Sequence, residues 1–431
     1  MAGEWEILEL GRLIEPERGI SYGIVQPGVP VDDGVPIVRV GDIRHGRVNV
    51  SEPLRVAPAI EAAFARTRLR GGELLLTLVG TVGESAIAPD SIVGWNTARA
   101  VAVIPVRKDI GAYWVRLALQ APSVRELIHS RLNTTVQATL NLRDVAQLPI
   151  ALPPKSMRHA IAHILGTLDD KIELNRRMNE TLEAMARALF NSWFVDFDPV
   201  RAKAEGRDPG LPQPIADLFP DSFEDSELGE IPKGWEAKSL DETARFLNGL
   251  ALQKYPPSHG RSLPVIKIAQ LRAGHTSDAD RASADLDADY IVEDGDALFS
   301  WSGSLECVLW AGDRGALNQH LFKVTSADYP KWLCYLGVHQ HLDDFRHIAA
   351  GKATTMGHIQ RHHLTNAKLA VPPQLLLRAL DDFIAPLIES VWRRSVQSRT
   401  LAALRDTLLP KLISGEMRIK HAESALNEAL S

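Results

Sequence analysis

Polar side chains able to hydrogen-bond nucleic acid gather near glycine turns in two distant parts of the chain. Arginine pairs with guanine, asparagine and glutamine pair with adenine, and hydroxyl groups reach phosphates. The candidates in the first part are Arg44, His45, Arg47, Thr81, Ser85, Asn96, Arg99, Thr134, Thr135 and Gln137. The candidates in the second part are Arg272, His275, Ser302, Ser304, Asn318, Gln319, Lys352, Thr354, Thr355 and His358. The same residue types cap helices and stabilise turns, so a purely structural role is expected for about half of them.

Sequence motifs for catalysis are missing. A DNA-adenine methyltransferase needs Asp or Asn before a Pro-Pro pair and an aromatic residue after it, to hold the flipped base. The Pro-Pro pairs that begin at Pro153, Pro256 and Pro372 lack this pattern. Gly351-Lys352 has no glycine five residues before it, so an ATP phosphate-binding loop is not predicted. The sequence therefore predicts no catalytic residue in this chain.

A group of histidines and a nuclease-like pattern are the possible metal sites in the sequence. Nine of the 14 histidines lie between residues 235 and 370, and His358 and His362 would share a helix face if that segment were helical. No cysteine or carboxylate joins them at ligand spacing, and a closed zinc site needs four ligands. Pro220-Asp221 followed by Glu236-Ala237-Lys238 is a loose nuclease-like match that chance explains better. We predict no metal site.

Two long helices must position the polar loops. The first shows a heptad stripe, which recurs 219 residues later in the same phase, and the eight positions are Leu168, Asn175, Leu182, Leu189, Leu387, Arg394, Leu401 and Leu408. Met178 and Met185 stand at the second apolar position of the first stripe. Such repeats predict a coiled-coil seam between the two helices, with Asn175 and Arg394 setting the register. The alternative is two amphipathic helices, each buried in a separate core.

The strand-like runs repeat as well, which predicts a duplicated mixed domain. Apolar runs at 35–40, 73–79 and 100–105 precede a helix from about Tyr113 to Leu132, and the runs at 263–268 and 295–300 answer the first two. The predicted fold is α+β, with two duplicated mixed α/β domains joined by two long antiparallel coiled-coil helices in a pseudo-two-fold arrangement. The segments are 1–152, domain 1; 153–194, helix 1; 195–234, a Pro-rich acidic linker; 235–372, domain 2; 373–416, helix 2; and 417–431, a frayed polar tail. Pro386 and Pro410 predict a kink or late start and a break in helix 2.

Charge and composition restrict the function classes. The net charge is −6, and residues 195–234 hold ten acidic and four basic side chains, so the remaining 44 acids and 44 bases balance. DNA binding would then depend on local basic patches or on a partner's charge. Cys307 and Cys334 form no C-x-x-C motif, no apolar run reaches the ~18 residues of a membrane span, and MAGEWEILEL lacks signal-peptide character. The sequence predicts a cytoplasmic protein with no membrane contact.

Three features together resemble the specificity subunits of type I restriction–modification enzymes. They are HILGTLDDKIELNRRMNETLEAMARALFNSWFVDFDPVRAKAEG at 163–206, LLPKLISGEMRI at 408–419, and the paired strand-and-glycine blocks. The resemblance spans essentially the whole chain, and it implies two target-recognition domains that each read half of a split site. It also implies that the repeated helices act as a ruler.

The resemblance further implies partners and the absence of catalysis. Double-stranded DNA is expected, together with two copies of an adenine methyltransferase subunit, through which restriction subunits join. S-adenosylmethionine, ATP and magnesium would reside on those partners. A DNA-independent coiled-coil scaffold or adaptor is the competing class, because the neutral charge balance gives no electrostatic attraction for DNA.

Overall fold

The chain folds into two compact units, each described by itself. The computed structural model describes residues 5–44, 46–132, 138–257, 260–351 and 357–430. Unit 1 comprises Met1–Asp170 with Ala402–Ser431, and unit 2 comprises Lys171–Leu401. The predicted segments kept each long helix whole, whereas the structure divides the chain inside both helices. Each unit therefore contains one mixed domain, one end of the first long helix and one end of the second.

Short strands and helices alternate through the first part of the chain. The strands are β1 (Glu6–Glu9), β2 (Ser21–Tyr22), β3 (Val35–Val38), β4 (Ile43–Arg44), β5 (Arg47–Val48), β6 (Leu54–Val56), β7 (Leu74–Thr77), β8 (Ser85–Ile87), β9 (Asn96–Thr97), β10 (Val101–Ile104) and β11 (Pro149–Leu152). The helices are α1 (Pro58–Ala62), α2 (Ala112–Leu119), α3 (Pro122–Ser130), α4 (Leu142–Ala146) and α5 (Lys155–Phe194). The helix predicted from Tyr113 to Leu132 is thus two helices, because Pro122 starts a new first turn.

The second part of the chain has the same alternation. Its strands are β12 (Phe223–Ser226), β13 (Gly229–Pro232), β14 (Glu236–Ser239), β15 (Arg245–Asn248), β16 (Ser262–Ile266), β17 (Arg281–Ser283), β18 (Ile291–Val292), β19 (Ala297–Ser300), β20 (Cys307–Leu309), β21 (Gly315–Leu317), β22 (Leu321–Thr325) and β23 (Lys368–Val371). Its helices are α6 (Asp198–Ala204), α7 (Gln213–Ala216), α8 (Leu240–Thr243), α9 (Ile268–Ala273), α10 (Lys331–Gln340), α11 (Leu342–Ala350), α12 (Arg361–Asn366), α13 (Gln374–Ile413) and α14 (Ile419–Leu430).

Both units contain two small sheets of corresponding strand order, with β18 as an additional strand in unit 2, which confirms the predicted duplication. In unit 1 the strand orders are β2-β10-β7-β8 and β6-β3-β9, and in unit 2 they are β15-β22-β19-β20 and β17-β16-β21-β18. β3 pairs in parallel with β9, as β16 does with β21. β7 and β10 are buried along their whole length, which explains why they are continuous apolar runs rather than alternating ones.

One glycine in each unit permits a close backbone approach beside these sheets. A Cβ atom on Gly23 would lie 1.8 Å from the carbonyl oxygen of Thr97, and one on Gly249 would lie 2.3 Å from that of Asn318. No larger residue fits at either position without moving the chain. The matched glycines show that the two units share their strand crossings as well as their strand orders.

The two long helices pack antiparallel, as predicted, and hydrogen bonds inside unit 2 show their relative direction. The Asn175 amide donates to the Arg394 carbonyl at 3.5 Å, and the Asn179 amide donates to the Val391 carbonyl at 3.0 Å. The residue number rises along α5 while it falls along α13. Asn175 is 1% exposed, and its amide also donates to Gln397 Oε1 at 2.9 Å, so a buried polar residue does occupy the seam.

The predicted seam is only partly correct. Leu168, Leu401 and Leu408 are at most 2% exposed, whereas Leu182, Leu189, Leu387 and the Arg394 side chain are half-buried. Met178 and Met185 lie outside the seam, because they are 36% and 49% exposed. The buried face instead runs through Asn175, Ala186 and Phe190, with Asn179 half-buried beside them. Ala186 and Phe190 belong to the main apolar core of unit 2, so this part of α5 also packs on the mixed domain. A seven-residue pattern alone could not show this second neighbour.

Residues 195–234 do not form the exposed connector that their proline and acid content predicted. They include α6, α7 and the antiparallel pair of β12 and β13. Val200 and Phe219 are at most 1% exposed in the main apolar core of unit 2, where Phe197 and Phe219 pack on Trp235. The acidic side chains remain outside while the aromatic ones anchor the segment.

The end of the chain also differs from expectation. α13 runs without interruption through Pro386 and Pro410, since buried residues such as Ile384 and Ile388 keep the same face packed on both sides of Pro386. The predicted frayed tail contains α14, whose Ala422 and Leu426 are 0% and 7% exposed. Along the described part of the chain, no helix is long and apolar enough to cross a membrane.

Candidate nucleic-acid interface

Each unit has a strand hairpin whose polar turn is held in the same way. In unit 1 the Thr77 amide donates to the Glu84 carbonyl at 2.9 Å, and the Thr77 hydroxyl donates to the Thr81 carbonyl. In unit 2 the Ser300 amide donates to the Glu306 carbonyl at 2.9 Å, and its hydroxyl donates to the Ser304 carbonyl at 2.6 Å. A hydroxyl residue at the end of the first strand therefore fixes both turns.

Two further chain segments meet each hairpin turn through equivalent backbone contacts. The Leu78 backbone amide donates to the Ala100 carbonyl at 2.7 Å, and the Trp301 backbone amide donates to the His320 carbonyl at 3.4 Å. Val79 pairs with Thr139, as Ser302 pairs with His358. The equivalent positions are Leu78 and Trp301, Val79 and Ser302, Arg99 and Gln319, Ala100 and His320, and Thr139 and His358. The backbone frame is shared while all five side chains differ.

This frame corrects one correspondence predicted from the sequence. Asn318-Gln319 was matched to Asn96-Thr97, but the parallel bridges pair Ile24 with Ala98 and Leu250 with Asn318. Asn318 is therefore equivalent to Ala98, two residues further on. The error arose because the two asparagines were aligned by type, whereas strand pairing decides which positions share a place in the fold.

The accessible candidates of unit 1 lie at three turns of the chain. Arg99 and Thr81 are exposed, and the first follows β9 while the second lies in the β7–β8 turn. Arg44 is exposed at the end of β4, with its Nε donating to the Gly41 carbonyl at 3.1 Å. Arg47 at the start of β5 is half-buried and donates to Asp170 Oδ1 at 3.0 Å. These side chains place basic and hydroxyl groups where nucleic acid can reach them.

Unit 2 builds an aromatic and amide cluster at the corresponding place. The Trp301 indole Nε1 donates to Asn248 Oδ1 at 2.9 Å and to the Gln319 carbonyl at 3.2 Å. The His320 ring lies 5.7 Å from the Trp301 ring, and the His358 ring lies 6.4 Å from it in an edge arrangement. The cluster offers a ring surface, an amide and two imidazoles, which are groups that hydrogen-bond base edges and contact apolar base surfaces.

Three other candidates of unit 2 are exposed, namely Arg272, His275 and Ser304. The Arg272 Nε atom lies 3.5 Å from Glu306 Oε1, so the two oppositely charged side chains form an ion pair. His275 Nδ1 lies 2.8 Å from the Ser277 hydroxyl, and Ser304 is exposed in the β19–β20 turn.

Four predicted contact residues are buried inside their units. Ser85 is 3% exposed, Asn96 0%, Ser302 3% and Asn318 6%. The Asn96 amide donates to Glu61 Oε1 and to the Phe64 carbonyl, both at 3.0 Å, and its oxygen accepts from the Thr97 amide at 2.8 Å. The Arg68 guanidinium and the Asn96 amide hold the pKa of Glu61 below its ordinary value. These residues support the turns, and we exclude them from the candidate interface.

Seven other candidates lie outside the described residues. They are His45, Thr134, Thr135, Gln137, Lys352, Thr354 and Thr355. Within the described ranges, no group of three histidine, cysteine or acidic side chains is arranged to hold a metal ion. His358 precedes α12 while His362 lies within it, so the two do not share a helix face.

Three residues of the interface were missed by sequence reasoning. Asn248, Trp301 and His320 were not candidates, although Trp301 stands between two serines just before a turn glycine. A tryptophan in such a turn is an available signal, because turns are usually built from small polar residues. His320 and Asn248 carried no such signal, since only strand pairing brings them beside Trp301.

A second surface of interest lies on the long helix α5 inside unit 2. Leu174, Met178 and Met185 are 49%, 36% and 49% exposed and follow one another at helical spacing. An exposed apolar stripe on a helix is typical of a protein–protein contact.

Comparison with known proteins points to one family. Residues 31–184 match the family model described as the type I restriction modification DNA specificity domain. The chain is 26% identical over 344 residues to the HindI specificity subunit of Haemophilus influenzae, covering 68% of this chain and 73% of that protein. It is 24% identical over 366 residues to the MjaIX specificity subunit of Methanocaldococcus jannaschii, covering 81% and 78%.

One further relative and one solved structure are also similar to the chain. The EcoBI specificity subunit of Escherichia coli is 31% identical over 196 residues, which cover 43% of this chain and 41% of that protein. The crystal structure of a type I restriction–modification S subunit from M. genitalium superposes with a TM-score of 0.51 at 14% identity, covering 95% of this chain and 96% of that one. At that identity the structural likeness shows a shared fold.

Proposed function

We propose that the chain is a type I restriction–modification specificity subunit and that each unit reads one half of a bipartite DNA site, which its similarity to such subunits supports. The observation that supports this most is the shared frame with different side chains at five equivalent positions. Two readers with one geometry and different contact groups suit a site whose halves differ in sequence. The reading of the halves goes beyond that similarity.

In unit 1 we assign DNA contact to the exposed residues Arg44, Thr81 and Arg99 and to the half-buried Arg47. The three guanidinium groups suit guanine or phosphate, and the threonine hydroxyl suits phosphate. Arg47 also pairs with Asp170, an interaction between exposed side chains that contributes little and that phosphate can replace. Unit 1 therefore supplies the more basic of the two contact surfaces.

In unit 2 we assign base contact to Gln319, His320 and His358 around the Trp301 ring. The Gln319 amide provides a donor and an acceptor, which match the adenine edge in the major groove. Its position is equivalent to Arg99, so the two units would read different bases with residues at the same place in the frame. This difference agrees with an asymmetric site.

Helices α5 and α13 carry the second part of the proposal. A 40-residue helix is about 60 Å long at 1.5 Å per residue, so a pair of such helices can set a gap between two half-sites. We assign the stripe of Leu174, Met178 and Met185 to a methyltransferase subunit, because it is apolar, exposed and helical. Two methyltransferase copies, with a restriction subunit joined through them, complete the proposed assembly in the cytoplasm.

The proposed chain is a recognition subunit and not the catalyst. Methyl transfer from S-adenosylmethionine and ATP- and magnesium-dependent cleavage would then belong to the partner subunits. The partners would also supply the positive charge that attracts DNA, because acidic and basic side chains balance in this chain outside residues 195–234. Purified chain without partners is expected to show no turnover on DNA.

Mapping of N6-methyladenine in cellular DNA tests the function. Cells with the chain and its methyltransferase should show a split motif with one gap length, and cells without the chain should lose it. Replacing residues 235–372 by a second copy of residues 1–152 should change only the second half of that motif. Unchanged methylation in the exchanged chain would refute the assignment of half-sites. If the chain with its methyltransferase binds no duplex at any salt concentration, a DNA-independent scaffold is the better explanation.

A further inference from the structure

The β4–β5 hairpin of unit 1 rests on a buried guanidinium group. Gly46, in its turn, has φ +79°, and a Cβ atom there would lie 1.8 Å from Nη2 of Arg116. Arg116 is on α2, is 3% exposed, and donates from Nε to the Ser85 carbonyl at 3.4 Å. Gly46 therefore lies directly on this side chain, and its position has no space for a side chain.

A single carboxylate holds that guanidinium in place. Asp169 on α5 accepts from Arg116 Nη1 at 3.1 Å and from the Tyr113 hydroxyl at 2.9 Å, both at Oδ2. Its Oδ1 accepts from Arg405 Nη1 on α13 at 2.9 Å. One carboxylate thus joins the domain helix α2 to both long helices within unit 1.

The site keeps Asp169 charged. Burial opposes its ionisation, but the adjacent Arg116 and Arg405 guanidinium groups outweigh that effect and hold its pKa below the ordinary value. Burial and the neighbouring carboxylate raise the pKa of Tyr113, so its hydroxyl remains a donor. Because the Arg116 and Asp169 side chains are only 4% and 14% exposed, loss of one partner leaves the other poorly compensated.

We infer that Asp169 is a positioning residue that fixes the β4–β5 hairpin on α5 and α13 and thereby restricts the protein to one gap length. The inference rests on the proposed function, since the hairpin carries the assigned contacts Arg44 and Arg47. A hairpin free to shift would let its contacts meet half-site 1 at neighbouring positions. Fidelity of spacing then depends on Asp169, although Asp169 touches no DNA in this assignment.

The test is methylation of a duplex library by the purified complex of this chain with its methyltransferase. The library holds both half-sites at the native gap and at gaps one and two base pairs shorter and longer. Wild type should prefer one gap. Asp169→Asn should raise the ratio of methylation at displaced gaps to that at the native gap by about tenfold. This factor corresponds to losing a free-energy penalty against displaced gaps about as large as that of one mismatched base pair. Base preference within half-site 2 should not change.

Three further variants make the test specific. Asp109→Asn, which alters an exposed ion pair with Arg107 in the same unit, should leave the ratio unchanged. Tyr113→Phe removes one donor to Asp169 and keeps both arginines, so it should raise the ratio by a smaller factor. Arg116→Lys keeps the charge but cannot replace the planar contacts beneath Gly46, and it should behave like Asp169→Asn.

The outcomes separate the inference from the proposed function. A folded Asp169→Asn protein with the wild-type gap ratio overturns the inference. If Asp169→Asn does not fold, wild-type ratios in both Tyr113→Phe and Arg116→Lys overturn it instead. A wild-type complex that shows no preferred gap refutes the proposed function itself. A fall in total methylation with an unchanged gap ratio would assign Asp169 a stabilising role only, and would also overturn the inference.

Discussion

Replacement of Asn96 by alanine should destabilise unit 1 without altering base preference. Asn96 was a sequence candidate for DNA contact, but it is fully buried beside Thr67 and Glu61. Its side chain ties the loop before β7 to the start of β9. The variant therefore distinguishes a residue that supports the turns from one that reads DNA.

The size of this destabilisation follows from the hydrogen bonds that each partner of Asn96 retains in the variant. The Thr67 hydroxyl keeps its hydrogen bond to the Phe64 carbonyl at 2.9 Å, and Glu61 Oε1 keeps its hydrogen bond from Arg68 Nε at 2.9 Å. The Thr97 amide loses its acceptor and is 0% exposed, which costs about 1 to 3 kcal/mol for an unsatisfied buried donor. The cavity left by the amide adds roughly 1 kcal/mol. We expect a loss of about 2 to 4 kcal/mol in the free energy of unfolding.

Hydrogen exchange of the full chain measures this loss locally. Protection of amides in β7 and β9 should fall by roughly 30-fold or more, since each 1.4 kcal/mol is tenfold. Amides of unit 2 serve as an internal reference. Asn141→Ala is the matched control, because Asn141 is exposed and its amide makes only a long contact of 3.4 Å to Asp144.

A specific result would refute this reasoning. If Asn96→Ala keeps wild-type protection in β7 and β9 while the methylated motif changes in one half, Asn96 reads DNA and the burial argument is wrong. Altered protection with an unchanged motif in the surviving complex would agree with the structure.

Three other predictions concern the interface, the helix stripe and acid stability. Gln319→Ala should relax one position of one half-site, a discrimination worth about 1 to 3 kcal/mol, and leave the other half unchanged in methylation mapping. Met178→Glu with Met185→Glu should weaken binding of the methyltransferase subunit at least about tenfold by titration, because charge is buried in an apolar contact, with circular dichroism unchanged. Burial and the nearby Arg187 lower the pKa of His339 in the folded chain to about 4. At pH values below the ordinary histidine pKa of 6.5, the unfolded chain therefore binds more protons than the folded chain. Unit 2 should therefore lose up to about 3 kcal/mol as pH falls from 6.5 to 4, and His339→Gln should remove that dependence in urea titrations; an unchanged slope would contradict it.

The repeated apolar runs and the turn glycines beside them were sufficient to predict the duplicated domains. Their signal is local, because a strand buried on both faces must be apolar and a tight turn favours glycine. Buried Asn175 was also predictable, since a polar residue at a heptad position has few alternatives in a helix pair. The tail helix could have been found too, because Ile419, Ala422 and Leu426 follow helical spacing.

Which polar residues face outward could not be read from the chain. Asn96 and Arg99 lie three positions apart near the same strand, yet one is fully buried and the other exposed. Only the parallel pairing of β3 with β9 decides this, because pairing sets which side chains point into the sheet stack. The same holds for Met178, whose exposure depends on what packs against α5.

The sequence by itself determined the repeated helices, the repeated strands and the resemblance to type I specificity subunits, because these depend on periodicity and on runs of residue types. Tertiary structure alone decided that the acidic segment at 195–234 packs through its aromatic residues, that Trp301 gathers His320 and Asn248, and that Asp169 joins α2 to both long helices. Each of these contacts joins residues far apart in the chain. These contacts depend on strand pairing and helix packing, which a local sequence pattern does not determine.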